Sequence, residues 1–327
     1  MRCFAHRERR VWHRGGTRGS EGREEIEVRV KLGVDLGGTK IEIIALDDRG
    51  GELMRRRVAT PQGDYPGALR AIADLVRMTE AGLGLRGTLG VATPGAISRA
   101  TGLLKNSNST HLNGRPIRQD LEALLQREVR IANDANCFAL SEATDGAAAG
   151  AAVVFGAILG TGTGAGIVVN GHVLTGPNAI AGEWGHNPMP WPEQGERSGP
   201  PCYCGRSGCI ETYLSGPGMA RDHERAGGEK LGAEAIAARA AAGDATCEAT
   251  LRRHEDRLAR SLAHVVNILD PDVIVLGGGM SNIGRLYENV PRLWGRFVFS
   301  DRVDTRLVRN RFGDSSGVRG AAWLWES

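Results

Sequence analysis

Asn133 and Asp134 are the residues whose position most directly suggests chemistry. An apolar run at residues 129–132 ends just before them, and a helix-like segment at residues 138–143 follows. A carboxylate at the point where a strand passes into a helix can face a cleft and accept a proton there. The alternative is a plain helix cap, a role that Asn and Asp fill routinely. At a helix N-terminus the Asp134 carboxylate is also expected to stay ionised more easily.

A second group of reactive side chains has the composition of a metal site. Three of the six cysteines lie in C-Y-C-G-R-S-G-C at residues 202–209, and His186 precedes them in A-G-E-W-G-H-N-P. In a chain this long, such clustering favours a metal over a disulfide scaffold. His186, Cys202, Cys204 and Cys209 form a Cys₃His set, which predicts a closed, structural zinc site. An unliganded thiol cluster is the alternative.

Polar side chains near this predicted zinc site suit the hydroxyl groups of a sugar. Glu183 and His186 share one glycine-bounded turn, and Glu211 follows Cys209 closely. A zinc-bound imidazole has its other nitrogen free for a hydrogen bond, so these groups are expected on one wall of a pocket. The amide of Asn108, in a loop rich in Asn and Ser, offers further donors and acceptors. For Glu183, His186 and Glu211 the alternative role is support of the metal. For the loop that contains Asn108 the alternative is a solvated loop without a ligand.

Glycine turns between apolar strands predict phosphate binding. Residues 31–47 contain D-L-G-G-T-K, and residues 151–169 contain G-T-G-T-G-A-G. Glycine lets backbone N–H groups approach a phosphate closely, and Asp35 is placed to hold hydrated Mg²⁺. Plain hairpins are the alternative, and the spacing of a Walker loop is absent. A third turn, residues 277–279, ends an apolar strand and suits a base and ribose.

The elements that must position these groups alternate between strands and helices. Further strands are expected at residues 52–59 and 88–92, and the helical segments are residues 65–82, 116–128, 232–242, 248–269 and 315–325. The repeated strand–glycine turn–strand unit suggests two related lobes, and 327 residues suffice for two.

Charge argues against a polyanionic partner. The net charge of +3 resides in residues 1–30, which hold eight Arg and five Glu, and the remainder is neutral. We therefore predict no nucleic-acid partner. No apolar run reaches the roughly 18 residues of a membrane span, so we predict a cytoplasmic protein without membrane contact. Residues 1–30 are predicted to be a disordered or non-native extension, with translation starting near Val28 or Val30. Mass spectrometry of the native N-terminus tests this.

Taken together, these motifs resemble the ROK sugar kinases of the actin-like ATPase superfamily. The resemblance covers nearly everything after Val30 and rests on D-L-G-G-T-K, N-D-A-N, G-T-G-T-G-A-G, E-W-G-H, C-Y-C-G-R-S-G-C-I-E and I-V-L-G-G-G. Four longer segments look most similar to the bacterial fructokinase (manno(fructo)kinase) branch: A-N-D-A-N-C, A-G-E-W-G-H-N-P, residues 261–282 and residues 313–325. His111 departs from the close fructokinase relatives, in which a Trp is expected, and this bears on substrate preference.

The resemblance implies an α/β, two-lobed actin-like ATPase (ribonuclease H-like) fold with an inter-lobe cleft and a zinc-bound loop. It places a small lobe at residues 31–132, joined by a C-terminal helix at residues 316–327. A large lobe follows at residues 133–315, with a zinc knuckle at residues 186–209.

The family pattern also implies a role for each matching residue. Asp134 would be the catalytic base. The sugar would be held by Asn108, Asn133, Glu183, His186 and Glu211. ATP and Mg²⁺ would be bound by Asp35, Gly37, Gly38, Thr39, Lys40, Gly160, Thr161, Gly162, Thr163, Gly164, Gly277, Gly278 and Gly279. Structural Zn²⁺ would be bound by His186, Cys202, Cys204 and Cys209.

The implied reaction is ATP-dependent phosphorylation of D-fructose at its 6-hydroxyl, by a homodimer. Mannose, glucose and N-acetylhexosamine are alternative acceptors within the same family. A sugar-responsive transcriptional regulator is the alternative from another class, but residues 1–30 are too short and aperiodic for a helix-turn-helix domain. A purely structural ATP-binding protein is disfavoured by the sugar-type polar residues around the predicted base.

Overall fold

The computed structural model describes residues 29–326, so residues 1–28 of the predicted extension lie outside the described part of the chain. These residues form two compact units. Unit 1 comprises residues 29–97, 102–132 and 321–326, and unit 2 comprises residues 98–101 and 133–320. No helix in the described chain is long and apolar enough to cross a membrane.

Unit 1 is built on a five-stranded sheet. Its elements are β1 (Lys31–Leu36), β2 (Lys40–Leu46), β3 (Glu52–Ala59), α1 (Tyr65–Leu83), β4 (Thr88–Thr93), β5 (Ala96–Ile97), β6 (Leu104–Lys105), α2 (Ile117–Leu125) and β7 (Arg130–Asn133). The strand order is β3-β2-β1-β4-β7. β1 pairs antiparallel with β2 and parallel with β4. The helical spacing of α1 places Ile72 and Val76 on one face, and both are fully buried in the same core as β1 and β2.

Unit 2 repeats this plan with more helices. Its elements are α3 (Asp134–Thr144), β8 (Val153–Leu159), β9 (Thr163–Val169), β10 (His172–Val173), α4 (Glu211–Leu214), α5 (Gly216–Arg225), α6 (Ala233–Ala241), α7 (Ala245–Leu269), β11 (Val273–Gly277), α8 (Leu286–Trp294), β12 (Arg306–Arg309) and α9 (Ser316–Trp323). The strand order is β10-β9-β8-β11-β12. β8 pairs antiparallel with β9 and parallel with β11.

The two sheets share one topology. Numbered along the chain within each sheet, the five strands stand in the order 3-2-1-4-5 in both units. In each unit the first two strands form an antiparallel hairpin around a glycine turn, and the first and fourth strands are parallel. The repeated hairpins recognised in the sequence therefore belong to two related α/β units.

Two local predictions differ from the structure. The helix expected at residues 138–143 begins at Asp134, four residues earlier. α4, α5, α8 and β12 were not predicted. α8 contains Pro291 inside the helix, and an internal proline removes a hydrogen-bond donor and argues against a helix in a sequence. Packing of Leu286, Val290 and Trp294 into the unit 2 core outweighs that local preference.

Candidate active site

Asn133, rather than Asp134, caps α3. Its backbone is extended (φ −63°, ψ 149°), and its Oδ1 accepts a hydrogen bond from the backbone N–H of Ala135 at 2.9 Å. This is the usual geometry of an Asn N-cap. Asp134 is therefore the first helical residue, at the junction with β7. Its Oδ1 also accepts from the Ala135 N–H, at 2.8 Å.

The Asp134 carboxyl has an elevated pKa. The residue is exposed to solvent on one side, yet it is crowded by protein atoms. The resulting desolvation raises the pKa of Asp134 most strongly, and the negative charge of Glu183 raises it further, while hydrogen bonds from Ala135 and Asn133 act in the opposite direction. The backbone N–H groups at the helix N-terminus lower the pKa of Asp134, as expected, but desolvation outweighs them, so that the net pKa is raised. A carboxylate with a raised pKa is a stronger proton acceptor.

Glu183 is held beside Asp134 by a turn that only glycine permits. A Cβ on Gly182 would lie 2.2 Å from the carbonyl oxygen of Ala165, and one on Gly185 would lie 1.9 Å from that of Thr163. The turn therefore lies directly on β9. The buried Trp184 ring packs edge-to-face on Phe155, with 5.4 Å between ring centroids. Glu183 remains exposed, where it is available to a polar ligand.

The four predicted metal ligands are brought together. One ligand atom each from His186, Cys202, Cys204 and Cys209 lies within 4.8 Å of the others. Cys204 Sγ is 3.6 Å from Cys209 Sγ, and Cys202 Sγ is 3.6 Å from His186 Nδ1. Two thiolates on a tetrahedral zinc, with Zn–S bonds of about 2.3 Å, stand about 3.8 Å apart. The donor set and its spacing therefore fit zinc.

The free nitrogen of His186 has a partner that was not foreseen. His186 Nε2 lies 3.0 Å from the hydroxyl of Tyr203, and the two rings meet edge-to-face. Tyr203 lies between two of the cysteines and is 82% exposed. A sugar hydroxyl that binds this nitrogen must therefore displace or share the Tyr203 contact.

Glu211 connects the metal cluster to the second glycine turn. Its Oε2 accepts a hydrogen bond from the backbone N–H of Thr163 at 3.0 Å, and its Oε1 is 4.0 Å from Cys202 Sγ. A Cβ on Gly162 would lie 2.7 Å from Glu211 Oε2, so a side chain at this position would displace the Glu211 carboxylate. The predicted sugar ligand thus also fixes the turn at residues 160–163.

The two glycine turns of unit 2 are adjacent. Gly278 has φ +76°, and a Cβ there would lie 2.5 Å from the carbonyl oxygen of Leu159 and 3.1 Å from Gly160 N. Within the first turn, Gly160 N–H donates to Gly162 O at 2.9 Å. The structure therefore brings residues 160–164 together with residues 277–279, as a phosphate site next to an adenosine site requires.

A cavity of about 440 Å³ opens beside Gly278. It is lined by Gly278, Ser281, Asn282, Arg309, Asn310, Arg311, Gly313 and Asp314. The segment 309–314 was not predicted as part of a site. The stretch G-D-S-S-G-V-R-G at residues 313–320 entered only as part of the family resemblance, and it contains no separate sequence motif that indicates a binding site.

The unit 1 candidates lie around the first glycine turn. Gly37 N–H donates to Lys40 O at 3.0 Å, and a Cβ on Gly37 would lie 2.9 Å from that oxygen. The turn is held by Thr60, the residue after β3, whose Oγ1 donates to Gly37 O at 2.7 Å. Gly38 and Thr39 remain exposed, and Asp35 is half-buried at the end of β1.

Asn108 lies in a loop whose shape is set by its neighbours. The side chain of Asn113 accepts from Ser107 N–H at 2.8 Å and donates to Ser107 O at 2.9 Å. Asn108 itself is exposed, and His111 is half-buried in the same loop. This loop adjoins the first glycine turn, since a Cβ on Gly38 would lie 3.9 Å from Ser109 Oγ.

Comparison with known proteins places these features in a family. The model of the ROK family matches residues 31–327. The N-acetyl-D-glucosamine kinase of Photobacterium profundum is 42% identical over 298 residues, covering 89% of this chain and 98% of that protein.

Two solved structures are similar in fold. The ROK hexokinase of Thermus thermophilus superposes with a TM-score of 0.80 at 32% identity, covering 90% of this chain and 97% of that one. A ROK family glucokinase from Streptomyces griseus, solved with glucose and AMPPNP, gives a TM-score of 0.72 at 26% identity, with 90% and 98% covered. The predicted two-sheet, actin-like α/β fold is confirmed.

Proposed function

This chain belongs to the ROK family and is a sugar kinase, and we propose that it transfers the γ-phosphoryl group of ATP to the 6-hydroxyl of a hexose, with N-acetyl-D-glucosamine as the preferred acceptor. The observation that carries the reaction type is Asp134, an exposed carboxylate at the start of α3 whose pKa is raised. Such a group suits removal of a proton from a hydroxyl.

Asp134 acts as the general base. Its carboxylate accepts the proton of the 6-hydroxyl while that oxygen attacks the γ-phosphorus. A new oxygen–phosphorus bond forms, the bond to the β–γ bridging oxygen breaks, and ADP leaves with the bridging oxygen. Glu183 and Glu211 accept hydrogen bonds from sugar hydroxyls, and His186, Asn133 and Asn108 add further polar contacts.

The glycine turns bind the nucleotide through their backbone. Residues 37–40 and 160–164 offer N–H groups to the phosphates, and residues 277–279 lie under the adenosine. Mg²⁺, held with the help of Asp35, supplies neutralisation of the developing phosphate charge when bound. Positioning and charge neutralisation account for most of the catalysis of phosphoryl transfer.

Zinc has a structural role in this proposal. His186, Cys202, Cys204 and Cys209 would hold the metal with four protein ligands, which would leave no open position for catalysis. Support comes from the separation of their ligand atoms, all within 4.8 Å. When bound, the metal would orient His186 and, through the contact of Glu211 with Cys202, would also hold Glu211 in place.

The choice of acceptor rests on sequence similarity. The N-acetyl-D-glucosamine kinase of Photobacterium profundum is 42% identical to this chain over 298 residues. The fructokinase-like segments of the sequence favour D-fructose, which stays as the second candidate. The similarity to the Photobacterium profundum kinase does not support fructose as the acceptor.

A coupled assay of ADP release across sugars tests the proposal. We expect kcat/KM to be highest for N-acetyl-D-glucosamine, with D-fructose, D-mannose and D-glucose as comparators and 6-deoxyglucose as the matched control without the acceptor hydroxyl. A higher kcat/KM for fructose would transfer the assignment to the second candidate, and turnover with none of these sugars would refute the hexose kinase. Sedimentation would test the homodimer, which we propose from the family resemblance alone.

A further inference from the structure

Glu142 is a buried carboxylate that has no part in the function proposed above. It is fully buried near the C-terminal end of α3, with 0% of its surface exposed. Within residues 29–326 no cation is paired with it, and the hydrogen bonds to its carboxylate come from neutral donors. Burying a carboxylate costs substantial free energy unless strong hydrogen bonds compensate. Its contacts therefore indicate what it stabilises.

Those contacts hold a distant loop. Ser316 Oγ donates to Glu142 Oε1 at 2.7 Å, and Arg311 N–H lies 3.2 Å from Oε1 and 3.1 Å from Oε2. The third donor is Ala147 N–H, at 2.8 Å from Oε2, in the turn after α3. Two of the three donors are 169 and 174 residues away in sequence. The carboxylate thus fastens the segment 311–316 to α3.

The fastened segment forms one side of the cavity beside Gly278. Asn310, Arg311, Gly313 and Asp314 all line that cavity. Arg311, Gly313 and Asp314 of this segment are exposed, and its one aromatic side chain, Phe312, is half-buried. Its other ties are the Arg319 guanidinium, 4.0 Å from the ring centroid of Phe312, and two hydrogen bonds, from Arg311 Nη1 to Asp145 O at 3.0 Å and from Asn310 N–H to Leu276 O at 3.1 Å. Without Glu142, the segment would lose most of its attachment to α3.

We propose that Glu142 is a positioning residue for the nucleotide: it holds residues 311–316 in the shape that the adenosine requires. This inference rests on the proposed function, because it assumes that a nucleotide occupies the cavity. The same helix begins at Asp134. One rigid element of eleven residues therefore carries the catalytic base at one end and the anchor of the nucleotide loop at the other.

Two variants test the role of Glu142 while a side chain of the same size remains at residue 142. Glu142→Gln keeps the shape but loses the charge, so that its NH₂ faces donors on one side. Ser316→Ala removes one donor and leaves the carboxylate its two N–H partners. We expect the Kd for Mg·ADP to rise about tenfold in Glu142→Gln, a loss of one charge-assisted interaction, and about threefold in Ser316→Ala. The KM for the sugar should change less than twofold.

Asp222→Asn is the matched control. Asp222 is also a buried carboxylate of unit 2, but it pairs with Arg253 and Arg257 away from the cavity. A similar loss of thermal stability with unchanged Mg·ADP affinity is expected there. Hydrogen exchange gives a second readout that does not depend on activity: the amide of Arg311 should exchange faster in Glu142→Gln than in the wild type or in Asp222→Asn.

The outcomes separate this inference from the proposed function. Unchanged Mg·ADP affinity and unchanged Arg311 exchange in Glu142→Gln would overturn the positioning role. An equal rise of the nucleotide Kd in Asp222→Asn would overturn it too, since general destabilisation would then explain the effect. A wild-type protein that binds Mg·ADP but phosphorylates no hexose would refute the proposed function, while loss of that binding in Glu142→Gln would still support the anchor.

Discussion

At the scale of single residues, Asp134 is the side chain on which the proposed chemistry depends. Replacement by Asn keeps the size and the helix start, because the cap is formed by Asn133. The amide cannot accept the hydroxyl proton, so kcat should fall by about 10²-fold or more while the sugar Kd stays within a few-fold. Single-turnover kinetics and calorimetric sugar binding measure the two effects separately.

Asn133→Ser provides the matched control for that variant. Serine also caps helices well, so the start of α3 should be kept, and the base is untouched. Turnover should then fall far less than in Asp134→Asn, with any loss appearing in the sugar KM. Near-normal turnover of Asp134→Asn would remove Asp134 from the base role.

The raised pKa of Asp134 predicts the pH dependence of the reaction. Its ordinary value is 3.8, and desolvation followed by the charge of Glu183 moves the pKa upward. The base is active only when ionised, so the acid limb of kcat/KM should lie above the ordinary aspartate value. Glu183→Gln removes one of the raising charges and should shift that limb to lower pH. A limb at the ordinary value, or no shift in Glu183→Gln, would contradict this.

The same shift has a consequence for stability. The unfolded chain loses the Asp134 proton near pH 3.8, whereas the folded chain loses it at higher pH. Between these values the folded state binds more protons, so stability falls as pH rises through that window. Asp134→Asn should therefore melt above the wild type at neutral pH, and the gap should close in acid. Parallel thermal melts at several pH values measure it, and a gap independent of pH would argue against a desolvated carboxylate.

At the scale of elements, the predicted zinc knuckle (residues 186–209) should require its metal. Cys204 is exposed and lies 3.6 Å from Cys209 Sγ. Cys204→Ser removes a thiolate ligand, so zinc content should fall well below one per chain. Because Glu211 and His186 depend on the cluster for orientation, the sugar KM should rise about tenfold, as for loss of a metal's supporting contacts.

Cys247→Ser is the control for that prediction. Cys247 is also a free cysteine of the described chain, buried on α7 and outside the cluster. It should lose some thermal stability while zinc content and sugar KM stay unchanged. Unchanged zinc content in Cys204→Ser, measured by mass spectrometry of the native protein, would refute the structural site.

Elements with local signals could be predicted from the sequence. Two apolar strands on either side of a glycine turn predicted the β1–β2 hairpin, and the Cys and His spacing predicted a cluster that the structure brings together. Features set by distant contacts could not be predicted. Glu142 resembles any helical glutamate until Arg311 and Ser316, 169 and 174 residues later, are placed against it. The pKa of Asp134 likewise depends on desolvation by residues that no local pattern identifies.

At the scale of the whole molecule, the chain crosses four times between its two units, the first two crossings enclosing the short segment 98–101. It leaves unit 1 after Ala132 and returns at Ala321, within α9. The returning residues 321–326 pack on the sheet of unit 1. A Cβ on Gly90 would lie 1.8 Å from Ala321 O, and Arg130 Nη1 donates to Leu324 O at 2.7 Å. The stability of unit 1 therefore depends on the last residues of the chain.

Trp325 offers the sharpest test of that dependence. Its Nε1 donates to Leu89 O at 2.9 Å on β4, and the guanidinium of Arg130 lies 4.5 Å from its ring centroid. Trp325→Ala should destabilise unit 1 by about 2 kcal/mol, less than for a fully buried Trp. The amides of β1 and β4 should then exchange faster, while those of β8 and β11 in unit 2 keep their protection. The control variant is Trp191→Ala. Trp191 is a 47% exposed residue of unit 2, so its loss should leave exchange in unit 1 unchanged.

If Trp325→Ala reduced protection equally in both units, the two units would unfold as one cooperative body, and the prediction would be wrong.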